Sequence, residues 1–284
     1  MKQLLVCSAV CTALAMPLTT VAARAARGAE VVRTVYFSAS DASGALVTDL
    51  TAADLVVKEG GKDRAITAVE RATAPIHVSI LVDDGGTGAF QGAVAQLLNT
   101  LMGKAQFAIS AFNPQPSRLT DFTDDFGTLK TALDGIGPRG RVTSTGEQML
   151  DAIAQAVKEL QQRKAARGVL VVLTVGGEVA QSNQADATLN ALRGSGASLT
   201  VVHLAGLQLG QVLGDGPKRS GGTIQQIGGG VVPGPVLGKI ADTLVNQYAL
   251  TYTLPDGVKP NEKFALTTTR KGVTLLAPTR LPDK

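Results

Sequence analysis

The chain has 284 residues, 44% of them hydrophobic and 18% charged, with a formal net charge of +4. That balance supplies a real core and argues against wholesale disorder. Aromatics are only 4% with no Trp, and the basic residues are scattered rather than striped, which argues against a sugar-stacking platform and against nucleic acid as a partner.

The first 25 residues, MKQLLVCSAVCTALAMPLTTVAARA, join one Lys to an apolar run from Leu4 to Met16 and then to small residues. This is the shape of a secretory signal peptide, cut near Ala23 or Ala25. Cys7 and Cys11 both lie inside it. The mature chain is therefore expected to have no disulfide and no thiolate chemistry. No other stretch approaches ~18 unbroken apolar residues, so no transmembrane segment is expected in the mature chain. The expected location is the periplasm, the cell envelope or the outside of the cell.

Residues 26–74 read as strands. VVRTVYFSAS alternates, DASG is a turn, and a hairpin is expected across Gly60-Gly61. Residues 75–246 alternate strand and helix. IHVSILVD, KAQFAISAF, GVLVVLTV and ASLTVVHLA are the expected strands. FQGAVAQLLNTLM, FGTLKTALDGI, EQMLDAIAQAVKELQQRKAA, NQADATLNALRGSG and GPVLGKIADTLVNQY are the expected helices. Gly194 is the expected C-cap of the fourth. Residues 204–235, from Leu204 on, read as a long Gly-rich loop. Residues 247–284 return to strands, with YALTYTL followed by a hairpin turning at Lys271-Gly272. The expected fold class is α/β: a doubly wound, mostly parallel sheet with helices on both faces. A small β module is added, built from the N- and C-terminal segments pairing with each other.

The chemistry concentrates at ILVDDGGTGAFQGAV, Ile80 to Val94, where an apolar strand ends in acid and glycine before a helix. In parallel sheets ligands sit at such strand ends. A phosphate loop does not fit: the glycines at 85, 86, 88 and 92 match neither nucleotide pattern and no Lys is near. A phosphotransfer Asp-x-Asp-x-Thr fails because its second Asp falls on Gly85. No Gly-x-Ser-x-Gly elbow exists, and His77 and His203 read as ordinary strand residues. A hydrolase is left as a remote alternative. The plainest reading is that Asp83 caps the loop or the helix start, with glycines allowing a tight turn.

The residues also carry a resemblance. The segment from Pro75 to Asn246 resembles a von Willebrand factor type A domain, and the mature chain resembles secreted bacterial VWFA-related proteins. The strand-rich DASGALVTDLTAADLVVKEGGK ahead of PIHVSILVD carries much of that likeness. The resemblance implies a non-enzymatic protein-binding module and a metal-ion-dependent adhesion site. On that implication Asp83 takes the first Asp, and Gly85 stands where the first Ser belongs. Thr87 takes the second hydroxyl, Thr143 the Thr of the second loop, and Val175 stands where the last Asp belongs. Asp84 and Glu178 are the nearby carboxylates that could substitute. Such a degenerate site implies weak or no binding of Mg2+ or Mn2+. The implied partner is an unidentified protein, bound by an adhesion or assembly module. The alternative is a structural envelope component that acts through its β module.

Overall fold

The computed structural model describes residues 31–112, 115–138, 146–176 and 182–283. The strands and helices run in chain order as β1 (Val31–Asp41), β2 (Leu55–Glu59), β3 (Lys62–Arg64), β4 (Ile66–Arg71), β5 (Ile76–Asp83), α1 (Gln91–Leu101), β6 (Ala105–Phe112), β7 (Pro116–Thr123), α2 (Phe126–Ile136), α3 (Gly146–Gln162), β8 (Arg167–Thr174), α4 (Ser182–Ser195), β9 (Ser198–Leu204), α5 (Gln211–Ser220), β10 (Ile224–Ile227), α6 (Pro233–Val245), β11 (Tyr248–Leu254), β12 (Phe264–Thr268) and β13 (Val273–Leu276).

The central sheet has the order β10-β9-β8-β5-β6-β7, parallel except for β7. Apolar runs without alternation form its inner strands because both faces are covered. Along β8, Val169, Val171 and Leu173 point into one core with α1, α2 and α6. Leu170 and Val172 point into the other, with α3, α4 and α5. The helices obey the same logic. Met149, Ile153, Ala156, Val157 and Leu160 share one face of α3 and are all buried.

The two chain ends form the β module. In its four-stranded sheet, β13-β1-β11-β4, strand β1 lies antiparallel between β11 and β13. A three-stranded sheet, β12-β2-β3, holds the hairpin across Gly60-Gly61. Val35, Phe37, Leu250 and Tyr252 from the first sheet meet Val57 and Phe264 from the second in a third core. N- and C-terminal segments therefore pair, as their alternation suggests.

Four local expectations need correction. The Gly-rich segment 204–235 is not a loop. It holds α5 and β10, and β10 adds a parallel strand beside β9. What folds it is burial of Val212 and Leu213, helped by Gly222, which lies against the carbonyl of Leu199 so closely that a Cβ there would sit 1.9 Å from that oxygen. The stretch around Lys271-Gly272 turns, but it is no hairpin: β12 pairs with β2 in one sheet and β13 with β1 in the other. Strand β7, PSRLTDFT, is a largely polar antiparallel edge that carries no strong apolar signal. Gly194 lies inside α4, and Gly196 just beyond the helix takes the left-handed conformation at φ 69.

Candidate functional site

Strand order reverses between β5 and β8, since β5 leads outward to β6 and β7 on one side while β8, β9 and β10 fill the other. Ligands of open α/β sheets bind at such a switch point, beyond the strands' carboxyl ends. Asp83 is the last residue of β5 and stands in register with Thr174, the last of β8. The sheet thus carries Asp83 to the position where this architecture holds its ligands.

The Asp83 carboxylate is buried, only 2% exposed. Thr174 Oγ1 lies 3.3 Å from its Oδ2, and the same hydroxyl accepts from the Gly176 N–H at 2.9 Å. The Asp83 carbonyl accepts from the N–H of Val175 at 2.9 Å, which carries the ladder one residue past the strand end.

Asp84 secures the loop. Its Oδ1 accepts from the Gly86 N–H at 2.9 Å, and its Oδ2 accepts from the Gly88 N–H at 2.8 Å. The carboxylate is fully buried. Gly85, Gly86 and Gly88 all have positive φ, between 64 and 78, so the chain can fold its amides back onto one side chain. The amides of Gly86 and Gly88 are thus capped by Asp84, the neighbour of the residue expected to do so, and Phe90 is the N-cap of α1, without a side-chain hydrogen bond. The sequence signal was present. An Asp followed by glycines makes an Asx-type turn by bonding amides two residues on.

Thr87 is exposed, and its hydroxyl is turned into the loop. It donates to the Asp84 carbonyl at 2.8 Å and accepts from the Ala89 N–H at 3.3 Å. Gly85 supplies no side-chain oxygen. Val175, where the family pattern has its last Asp, is partly buried and packs against the core beneath α1, α2 and α6. Thr143 and Glu178 lie outside the described residues. The structure therefore brings Asp83, Asp84, Gly85, Thr87 and Val175 together at one corner. Among the described residues no group of three or more His, Cys, Asp or Glu could hold a metal ion. Of the carboxylates at the corner, Asp84 is already bound to two loop amides.

Residues 84–178 match the sequence model of the von Willebrand factor type A domain. In structure, the chain is similar to a von Willebrand factor type A protein from Catenulispora acidiphila, with 13% identity and a TM-score of 0.52, over 85% of this chain and 71% of that one. Weaker likenesses link it to two further proteins. One is the vWF domain of the type V pili tip protein Mfa5 from Porphyromonas gingivalis, at 12% identity and a TM-score of 0.43, over 61% of this chain and 96% of that one. The other is the PilB minor pilin from Streptococcus sanguinis, at 11% identity and a TM-score of 0.45, over 62% of each chain. No curated protein matches the chain. At these identities the solved structures speak for the fold alone, and the sequence match begins at Asp84, taking in the loop, the elements from α1 to β8 and Val175 but not Asp83 or β5. The chain carries a von Willebrand factor type A domain.

Proposed function

We propose that this chain is an exported, non-enzymatic protein-binding module of the adhesion or assembly type, with weak or no dependence on a metal ion. The observation that supports this reading is the self-satisfied corner. A hard cation wants several oxygen ligands. Here Asp83 is the one family carboxylate in place, its neighbour Asp84 is held by loop amides, the Thr87 hydroxyl bonds backbone within its own loop, and Gly85 and the core-packed Val175 offer no ligand oxygen from a side chain. A preformed loop still suits protein recognition, because little ordering entropy is left to lose on binding. Export rests on the signal-like first 25 residues. Among the described residues no helix is long and apolar enough to cross a membrane.

Two measurements test the reading. The first is a thermal melt of the chain from Ala26 onward in chelator, then in excess Mg2+ or Mn2+. The expected result is no shift. A ligand at a hundred times its Kd adds about 2.7 kcal/mol, so a rise of several degrees that vanishes in Asp83→Ala overturns the metal-independent clause. The second places a benzophenone on Ala89→Cys at the corner or on Lys62→Cys in the β module, both exposed positions. The chain from Ala26 has no other cysteine. Partner crosslinks from the first position in chelator support the reading. Crosslinks from the second alone favour an assembly component acting through the β module.

A further inference from the structure

We propose that the β10 edge of the central sheet is a second binding site, which takes an extended peptide bearing a carboxylate side chain by strand addition. This surface is distinct from the Asp83 corner, and the inference stands or falls separately from the function proposed for that corner.

β10 ends the sheet, with β9 as its one sheet neighbour. The Val201 N–H donates to the Thr223 carbonyl at 2.8 Å, and the Ala205 N–H to the Ile227 carbonyl at 2.8 Å. Thr223 and Ile227 thus face β9. Backbone direction alternates along a strand, so Ile224 and Gln226 turn their N–H and C=O groups outward. Edge strands usually carry charge or proline that blocks such pairing. The opposite edge does: β7 begins at Pro116 and carries Arg118 and Asp121. β10 reads IQQI and carries neither.

The side chains add chemistry to the edge. Val231 and Val232, both exposed, line a cavity beside this edge, while Ile224 of β10 is exposed on the face opposite Ile227. That cavity, of about 550 Å3, runs between β10 and α6 and is lined in part by Val232, Val236, Ile240, Gln225 and Thr243. Lys239 is the only charged side chain on its wall among the described residues. Among the described residues it makes no ion pair.

These features select one occupant. Outward amides and carbonyls at alternate residues match an extended backbone, because a helix has already used its own. An added strand sends alternate side chains toward the α6 side, where the cavity is deep enough to receive them. The single ammonium on that wall selects a carboxylate, and its apolar neighbours select aliphatic residues beside it.

The test pans mRNA-displayed random ten-residue peptides on the protein and, in parallel, on Gln226→Pro. Proline there deletes one outward N–H, a place where edge strands tolerate it, and a thermal melt checks that the variant is folded. The expected outcome is enrichment on the unmodified protein of β-branched sequences with an Asp or Glu flanked by apolar residues. Their affinity should fall roughly tenfold in Lys239→Gln, the size of one charge-assisted hydrogen bond. N-methylation of alternate peptide amides should abolish binding, and amide exchange at Ile224 and Gln226 should slow in the complex. The proposal is overturned if no sequence is enriched over Gln226→Pro. It is equally overturned if the enriched peptides bind Lys239→Gln unchanged or tolerate N-methylation.

Discussion

Arg167 donates from Nη2 to the side-chain oxygen of Gln247 at 3.0 Å, and this bond closes one side of a clamp between the two parts of the chain. The chain passes from the β module into the central sheet through residues 72–75 and returns to the module through Asn246 and Gln247. Arg167, at the start of β8, holds both crossings. It donates to the carbonyls of Ala72 and Ala74 on the way in and of Leu244 on the way out. Its guanidinium also lies 5.5 Å from the ring centroid of Tyr36 in β1. The side chain is only 6% exposed, and burial lowers its pKa. A planar fork reaches several acceptors at once, which a lysine ammonium cannot do. Arg167→Met should therefore cost about 3 kcal/mol, because it leaves buried carbonyls without donors. At this chain size that corresponds to a Tm lower by roughly 6–12 °C. Arg167→Lys should recover less than half of the loss. Calorimetry on both variants checks the pair, and two separated transitions in Arg167→Met would show that the clamp couples module and domain.

At the corner, the different bonds made by Asp84 and Thr87 give a second expectation. Asp84→Ala strips the acceptor from the Gly86 and Gly88 amides and should cost about 2 kcal/mol. Thr87→Ala removes one exposed hydroxyl bond and should cost about 0.5–1 kcal/mol. Urea titrations measure both as shifts in midpoint at constant slope. Amide exchange at Gly86 and Gly88 should accelerate in Asp84→Ala and stay slow in Thr87→Ala. Equal destabilisation by the two variants would mean that Asp84 does not organise the loop.

The inner sheet was legible because IHVSILVD and GVLVVLTV are short, β-branched and mostly apolar runs bounded by turn residues, as covered strands are. The β module was legible from the alternation in VVRTVYFSAS and YALTYTL. Elements whose stability comes from elsewhere in the fold were not. β7 is a polar edge strand, held by pairing with β6 rather than by a buried face of its own. Helix α5 contains Gly214, Gly216 and Pro217, a poor intrinsic former, and tertiary burial of Val212 and Leu213 overrides propensity. Around Lys271-Gly272 the residues specify two strands and a turn. Which strand each one pairs with is decided by β1 and β2, more than 200 residues earlier in sequence. At the corner the strand end was legible in the sequence, but the particular bonds from Asp84 to the Gly86 and Gly88 amides were not, because they depend on the positive φ angles of three glycines.

Glu59 anchors the core of the β module, and its environment sets a pH dependence. It is fully buried and accepts from Arg33 Nη1 at 3.1 Å, from the Asn261 N–H at 2.6 Å and from the Tyr252 hydroxyl at 2.5 Å. Burial raises the Tyr252 pKa first, and the hydrogen bond to Glu59 raises it further, while Arg33 opposes both. An unfolded tyrosine ionises near pH ~10. The folded state keeps its proton to higher pH, so above ~10 the unfolded chain binds fewer protons than the folded one. The stabilising contribution is therefore complete below that pH and is lost as pH rises through the folded value. Tyr252→Phe should lower stability by about 1–2 kcal/mol at neutral pH. It should also flatten the alkaline decline. Urea midpoints at pH 8 and at pH 10.5, compared for the two proteins, test the sign. A decline just as steep in Tyr252→Phe would assign it to other groups.

Two glycines should respond in opposite directions to the same substitution, and they separate close approach from mere flexibility. Gly222 lies between α5 and β10, where an added Cβ would meet the Leu199 carbonyl oxygen at 1.9 Å. That oxygen is backbone and cannot rotate away. Gly222→Ala should therefore force β9 and β10 apart at their start and cost about 3–4 kcal/mol, the range of severe steric strain. Gly92 sits in the first turn of α1 with open space where a Cβ would go. Alanine there gains helix propensity, so Gly92→Ala should be neutral or stabilising by about 0.5 kcal/mol. Thermal melts of the two variants give the comparison directly. The Gly222→Ala protein should also lose exchange protection on the β9-facing amide of Gln225 while keeping it in β5 and β8. If it melts like the parent, the α5–β10 return is looser than its geometry indicates, and the sheet edge would then owe its position to the packing of Ile227 beneath α6 rather than to the close contact at Leu199.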